Sequence, residues 1–185
     1  MKRALGVVIV PCVLVGVWLI VTRPETPSDE AIQLGASEVP ARPDDAFPVT
    51  VVSVWDGDTL HADVDSSHPG VAASDDVRVR LIGIDTPEVS DPAECWSAEA
   101  KAQLTTLAPV GTRLWAAFDD DPRDRYDRLL LYLWTEDGRF INHELVATGS
   151  AETMTIAPND AYAALFAADE ARARAAGAGQ WGGCP

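Results

Sequence analysis

Apolar and polar positions change period along this chain, and each change predicts an element. Residues 4–21 form one uncharged, mostly apolar run between Lys2-Arg3 and Thr22-Arg23. As a helix, 18 residues reach about 27 Å at 1.5 Å per residue, enough for a bilayer core and longer than a usual secretory apolar region. Residues 1–22 therefore read as an uncleaved membrane anchor or as a cleaved signal; the length and the lack of a small-x-small cleavage pattern favour the anchor. Two positive charges before the run and one after it favour an inside N-terminus, so the remainder is expected to be exported.

Periodicity then lapses. Residues 23–48 mix Pro24, Pro27, Pro40, Pro43 and Pro48 with acids and small residues, the composition of an extended, disordered spacer. It returns at residues 49–55, rich in β-branched side chains, followed by the turn signal Asp56-Gly57-Asp58 and a clean alternation over 59–64, which together predict a hairpin. Residues 66–76 read as a loop and 77–84 as a third strand. Helix formers at 97–107 predict a helix with Ser97 as its cap. Residues 113–118 and 129–134 predict two more strands, 141–148 a short helix stopped by Gly149, and a last helix follows Asn159 and stops at Gly177. Five strands interrupted and followed by helices make an α+β fold over residues 49–185.

Charge complicates the picture. The chain carries 29 acidic against 14 basic residues, a net of -15. Only six of the acids lie in the spacer, so the acidity belongs to the folded part, which argues against an ordinary polyanion binder with a basic footprint.

Two acidic stretches stand out. Counting by twos puts Asp58 in the parity class of Leu60, Ala62 and Val64, and Asp85 in that of Val77, Val79 and Leu81. Two carboxylates at the margin of a core face repel each other and lose solvation unless a cation lies between them, so Asp58 and Asp85 are candidates for a hard divalent metal. Taken singly, Asp-Gly is an ordinary turn pair, Arg80 and Arg128 are ordinary strand-edge cations, and Glu88 is a solvated loop acid.

Three motifs in order change that weighting: Asp-Gly-Asp-Thr at 56–59, Arg-Leu-Ile-Gly-Ile-Asp-Thr-Pro-Glu at 80–88, and Asp-Arg-Tyr-Asp-Arg at 124–128. Together they resemble the staphylococcal nuclease (thermonuclease) family over about residues 49–183, including Gly149, Pro158-Asn159 and Trp181. The resemblance implies an OB-type five-stranded β-barrel with three helices and calcium-dependent cleavage of DNA and RNA that leaves 3'-phosphates; the chain is expected to be a monomer. It assigns calcium to the Asp58 and Asp85 carboxylates and the Thr86 carbonyl, a small set that suits an ion of six to eight oxygen ligands which keeps places for water and phosphate. Glu88 corresponds to the carboxylate that activates the attacking water, Arg80 and Arg128 to the guanidiniums on the scissile phosphate, and Arg125 and Tyr126 to contacts on a neighbouring phosphate.

The chain also departs from the family pattern. Asp127 stands where glycine is frequent, Met154 and Ile156 align with two tyrosines that flank the base, and the segment between Glu88 and the first helix is short. Asp119-Asp120-Asp121 adds a negative field, which predicts weak long-range steering and a strong need for calcium. The rival reading is a noncatalytic OB-type module that binds oligonucleotide or protein. Of three cysteines, Cys12 lies in the leader; Cys95 and Cys184 lie in the exported part, where oxidation is permitted, and are expected to pair. His61, His68 and His143 have no ligand spacing and are expected to pack or lie at the surface.

Overall fold

Eight residues, Phe47–Val54, form β1, whose alternating Phe47, Val49 and Val51 are buried. In this computed structural model residues 39–185 are described; the leader, Cys12 and the spacer as far as residue 38 lie outside the described residues. Among the described residues no helix is long and apolar enough to cross a membrane. After β1 come β2 (Thr59–Val64), β3 (Ser74–Leu81), β4 (Gly83–Asp85), α1 (Ser97–Leu107), β5 (Arg113–Ala117) and β6 (Leu129–Thr135). The chain continues through α2 (Ile141–Ala147), β7 (Glu152–Met154), α3 (Ala163–Ala176) and the single turn α4 (Gln180–Gly183).

Five strands close a barrel in the order β1-β2-β3-β6-β5. All its pairings are antiparallel except β3 with β6, where Val79, Arg80 and Leu81 run parallel to Leu129, Leu130 and Leu131. The near-continuous apolar run of β6 follows from coverage on both faces: Leu129, Leu131 and Leu133 are fully buried, as are Tyr132 and Trp134. Trp134 stacks on Phe140 at 4.4 Å between ring centres, and Tyr132 meets Tyr162 edge-on at 4.6 Å, so α2 and α3 are docked through aromatic contacts.

Asn142 is the polar rivet of this layer. Fully buried on α2, it accepts a hydrogen bond from the Leu133 amide and donates to the Ile82 carbonyl, both at 3.0 Å. That bond holds the chain where the expected continuous strand at 77–84 breaks in two. β3 stops at Leu81, Gly83 takes φ 80°, and β4 leaves the barrel to pair with β7, with Asp85 opposite Glu152. Side-chain parity is therefore lost between Leu81 and Asp85. Ile84 enters the core, and Asp85 does not lie on the barrel's core face as the count by twos implied. A Cβ on Gly83 would lie 2.5 Å from Phe166 Cε2. Gly83→Ala is therefore expected to cost about 1–2 kcal/mol for its left-handed backbone, with a further loss from the Phe166 collision. An unchanged urea midpoint would contradict this.

Two other expectations are revised. Residues 40–48 pack against the barrel: Trp134 Nε1 donates to the Pro40 carbonyl at 3.3 Å, and the Arg42 guanidinium lies 4.1 Å from the Trp115 ring centre. Proline content hid these contacts, which depend on aromatic surfaces distant in sequence. Ser97 is the first buried residue of α1, not its cap; the cap position is Trp96 at φ 74°, with no side-chain cap bond. Its neighbour Cys95 is disulfide-bonded to Cys184, and Gly183 packs on the Trp96 ring with no room for a Cβ. The C-terminus, not capping chemistry, sets how α1 begins.

Candidate active site

The tight turn between β1 and β2 brings two acids together, Asp56 and Asp58. Trp55 and Asp56 amides both donate to the Thr59 carbonyl, and the Asp56 carboxylate accepts from the Asp58 amide at 3.0 Å. Asp58 is buried and fully engaged: Oδ2 accepts from the Thr86 amide at 2.9 Å and from Thr86 Oγ1 at 3.1 Å, while Oδ1 accepts from Thr59 Oγ1. Parity placed Asp58 on the core face, and it is 3 % exposed. Gly57 permits this fold-over, since a Cβ there would lie 2.8 Å from Ala100 and Thr86 side-chain atoms.

Arg80 projects from β3 opposite Thr59 and joins the two carboxylates. Its Nη1 is ion-paired with Asp58 Oδ1, and its Nη2 donates to Asp85 Oδ1 at 2.5 Å and to the Ile84 carbonyl at 3.1 Å. Burial draws the Arg80 pKa below that of a free guanidinium, with Asp85 opposing, and Arg128 adds like-charge repulsion. Burial pushes the Asp56 carboxyl up, against hydrogen bonding from Thr59 and the charges of Arg80 and Arg128. Both arginines therefore act electrostatically on one small volume.

Arg128 is aimed by Asp124. The turn at 124–128 places Asp127 at φ 63°, a left-handed conformation that Asp tolerates better than most side chains. Asp124 accepts from the Tyr126 amide at 2.9 Å, the Arg128 amide at 3.0 Å and Arg128 Nε at 2.7 Å. Burial opposes the charged form of Asp124, but these bonds outweigh it and hold its pKa below the ordinary carboxylate value. With Nε engaged, the Arg128 terminal nitrogens stay available for a ligand. Arg125 donates to Tyr126 Oη at 2.7 Å and lies over that ring at 4.7 Å. Asp124 was not among the candidate site residues; its place at the head of an Asx-type turn ending in arginine was the signal for this contact.

A cleft of about 530 Å³ runs past these groups, lined by Arg80, Arg125, Tyr126 and Arg128 together with Met154 and Ile156. Four arginines line it, Arg123 being the fourth, and three of them, Arg80, Arg123 and Arg128, are ion-paired to aspartates. Met154 and Ile156 are exposed at its rim, with Met154 Sδ 3.9 Å from Arg80 Nη2. The acidic run is partly absorbed by structure: Asp119 accepts from Tyr132 Oη and from the Ala161 amide, and the Asp121 backbone is bracketed by the Asn159 side chain. Asp121 still lines the cleft.

The structure thus brings together Asp58, Arg80, Asp85 and Thr86 in one bonded cluster, and Arg80, Arg125, Tyr126 and Arg128 along one cleft. Glu88 stands apart. It is exposed two residues beyond Thr86, outside the cleft lining, and among the described residues its carboxylate forms no ion pair. Cys95 and Cys184 are bonded. His143 is packed against the buried Asp169 at 2.6 Å, and His61 pairs with Asp76 at the surface.

Residues 78–183, more than half of the chain, match the staphylococcal nuclease homologue family. The chain is a member of the staphylococcal nuclease family. The thermonuclease of Staphylococcus intermedius is 36% identical over 118 residues, covering 63% of this chain and 65% of that relative. The thermonuclease of Staphylococcus hyicus is 30% identical over 60% of this chain and 62% of the relative. The SPbeta prophage-derived endonuclease YokF of Bacillus subtilis (strain 168) is 32% identical over 68% of this chain but only 41% of its own length. The chain therefore spans less than two thirds of these relatives. The family match begins after Asp58, whose place in the site rests on its contacts with Arg80 and Thr86.

Proposed function

We propose that this member of the staphylococcal nuclease family is a calcium-dependent endonuclease that hydrolyses phosphodiester bonds of DNA and RNA outside the cytoplasm, leaving 3'-phosphate ends. The observation that carries this reading is the convergence of two arginines on one cleft beside a pair of carboxylates that share a cation. The donor chemistry suits a hard divalent ion: Asp58 and Asp85 supply charged oxygens, and their common positive partner in this structure is a guanidinium. Among the described residues no group of three or more His, Cys, Asp or Glu side chains gathers; the ligands proposed here are the two carboxylates and the Thr86 carbonyl. Calcium bound there would neutralise the carboxylates and polarise the phosphate.

The chain's own residues would act as follows. Arg128, held at Nε by Asp124, presents its terminal nitrogens to the phosphate, and Arg80 grips a second oxygen; both stabilise charge that gathers in the transition state. Glu88 accepts a proton from the attacking water. The water oxygen bonds to phosphorus, the bond from phosphorus to the 5' oxygen breaks, and the leaving oxygen takes a proton from solvent. Tyr126 and Arg125 hold the adjoining phosphate. Met154 and Ile156 offer the base an apolar rim without aromatic stacking, so base preference is expected to be slight.

Glu88 lying off the cleft lining favours the rival reading, a noncatalytic oligonucleotide-binding module. The two readings part on one assay. A labelled single-stranded DNA or RNA is expected to be cut in calcium and left intact in chelator, and Glu88→Gln to lower kcat by about 10²–10⁴-fold, the usual range for removing a general base. Binding without cleavage by the unmodified protein would establish the rival.

A further inference from the structure

Glu88 sits on a short loop, and a loop residue makes a good base only if something fixes its approach. One side of the loop is fixed by Thr86, whose amide and hydroxyl both donate to Asp58, and by Pro87, which restricts the backbone between them. The other side is fixed by Glu94. The Glu88 amide donates to Glu94 Oε2 at 2.9 Å, and the Glu94 amide donates to the Glu88 carbonyl, also at 2.9 Å. These two bonds close the segment 88–94 into a ring. The Glu94 carbonyl in turn accepts from the Ser97 amide at 3.2 Å, at the start of α1, and the next residue, Cys95, is bonded to Cys184. α1 is itself anchored by the fully buried Ala100 and Leu104.

We propose that Glu94 is a positioning residue for Glu88: its carboxylate holds the Glu88 backbone amide and transmits the rigidity of α1 and the disulfide to the base. This rests on the nuclease reading above. Glu94 is exposed, and among the described residues its carboxylate forms no ion pair, so its worth lies in accepting that one hydrogen bond from the Glu88 amide. Neutral glutamine keeps the accepting oxygen, whereas alanine does not. A misplacement of about 1 Å in a catalytic group costs on the order of 10²-fold in rate, so loss of the clamp is expected to lower kcat by about 10- to 100-fold.

The test uses the full chain and a fluorogenic single-stranded oligonucleotide in calcium. Glu94→Ala is expected to lower kcat by that factor with KM within about twofold, since substrate contacts lie on the arginine cleft. Glu94→Gln is expected to restore most of kcat. In a Glu88→Gln background, Glu94→Ala is expected to add nothing, because a positioning residue has no effect once its client is gone. Amide exchange by NMR supplies a readout independent of activity: the Glu88 amide exchanges faster in Glu94→Ala, while amides of α1 keep their protection. Equal kcat in Glu94→Ala and the unmodified protein, a Glu94→Gln as impaired as Glu94→Ala, or an unchanged Glu88 exchange rate would overturn the proposal. Absence of cleavage in the unmodified protein would instead sink the nuclease reading, and the exchange measurement would still decide whether the clamp exists.

Discussion

Arg80→Ala is expected to abolish cleavage and, as a separate effect, to make the stability of the fold depend on calcium. Arg80 is the shared positive partner of Asp58 and Asp85. Asp58 is 3 % exposed, so removal of the guanidinium leaves a carboxylate out of water whose remaining donors are neutral. Breaking one side of a buried ion pair costs about 3–5 kcal/mol. On the proposed reading calcium would bind the folded state only, so adding it should return part of that loss, about 2.7 kcal/mol at a hundredfold excess over Kd. The same logic predicts that Arg80→Ala binds calcium more tightly than the unmodified protein, because a competing cation has been removed. Urea unfolding in chelator and in calcium checks both statements. A chelator midpoint unchanged by the substitution would show that Arg80 does not neutralise Asp58.

Cys95→Ser with Cys184→Ser is expected to be comparably damaging to the fold. The bridge joins residues 89 apart, and chain-entropy arguments assign about 4–5 kcal/mol to closing a loop of that size. Domains of this kind hold only about 5–15 kcal/mol in total, so a large part of the stability depends on one bond. The structural consequence is local as well: Trp96 keeps its left-handed conformation between the bridge and the packed Gly183. Unfolding followed with and without reductant measures the loss. An unchanged midpoint after complete reduction would contradict it.

Much of this was legible in the residues, for physical reasons that differ by element. The hairpin at β1 and β2 announced itself because alternation and an Asp-Gly turn are local signals, and the same alternation placed Asp58 inward. β6 was legible as an apolar run, though not its parallel partner, since pairing is set by distant strands. The break after Leu81 was not legible. It needs Gly83 in a left-handed conformation under Phe166 and a hydrogen bond from Asn142, sixty residues away, to end one strand and send Asp85 to another sheet. β7 was missed with it, because three residues carry no period. Ser97 looked like a cap because serine often is one; the Cys95 bridge and Trp96 overrode that preference. At the site, motif order drew attention to Arg80, Arg128 and the carboxylates; Asp124 opens the third motif but took its role only from its bonds to Arg128, and Glu94, outside every motif, became visible only as a partner in space.

The proposed function depends on Asp58 and Asp85 holding one divalent ion beside the arginine cleft. Calorimetric titration with calcium tests it most directly, on the unmodified chain and on Asp58→Asn and Asp85→Asn. One ion is expected to bind per chain, and binding is expected to fall sharply in both variants while the barrel remains folded. Calcium affinity unchanged in both variants would contradict the account.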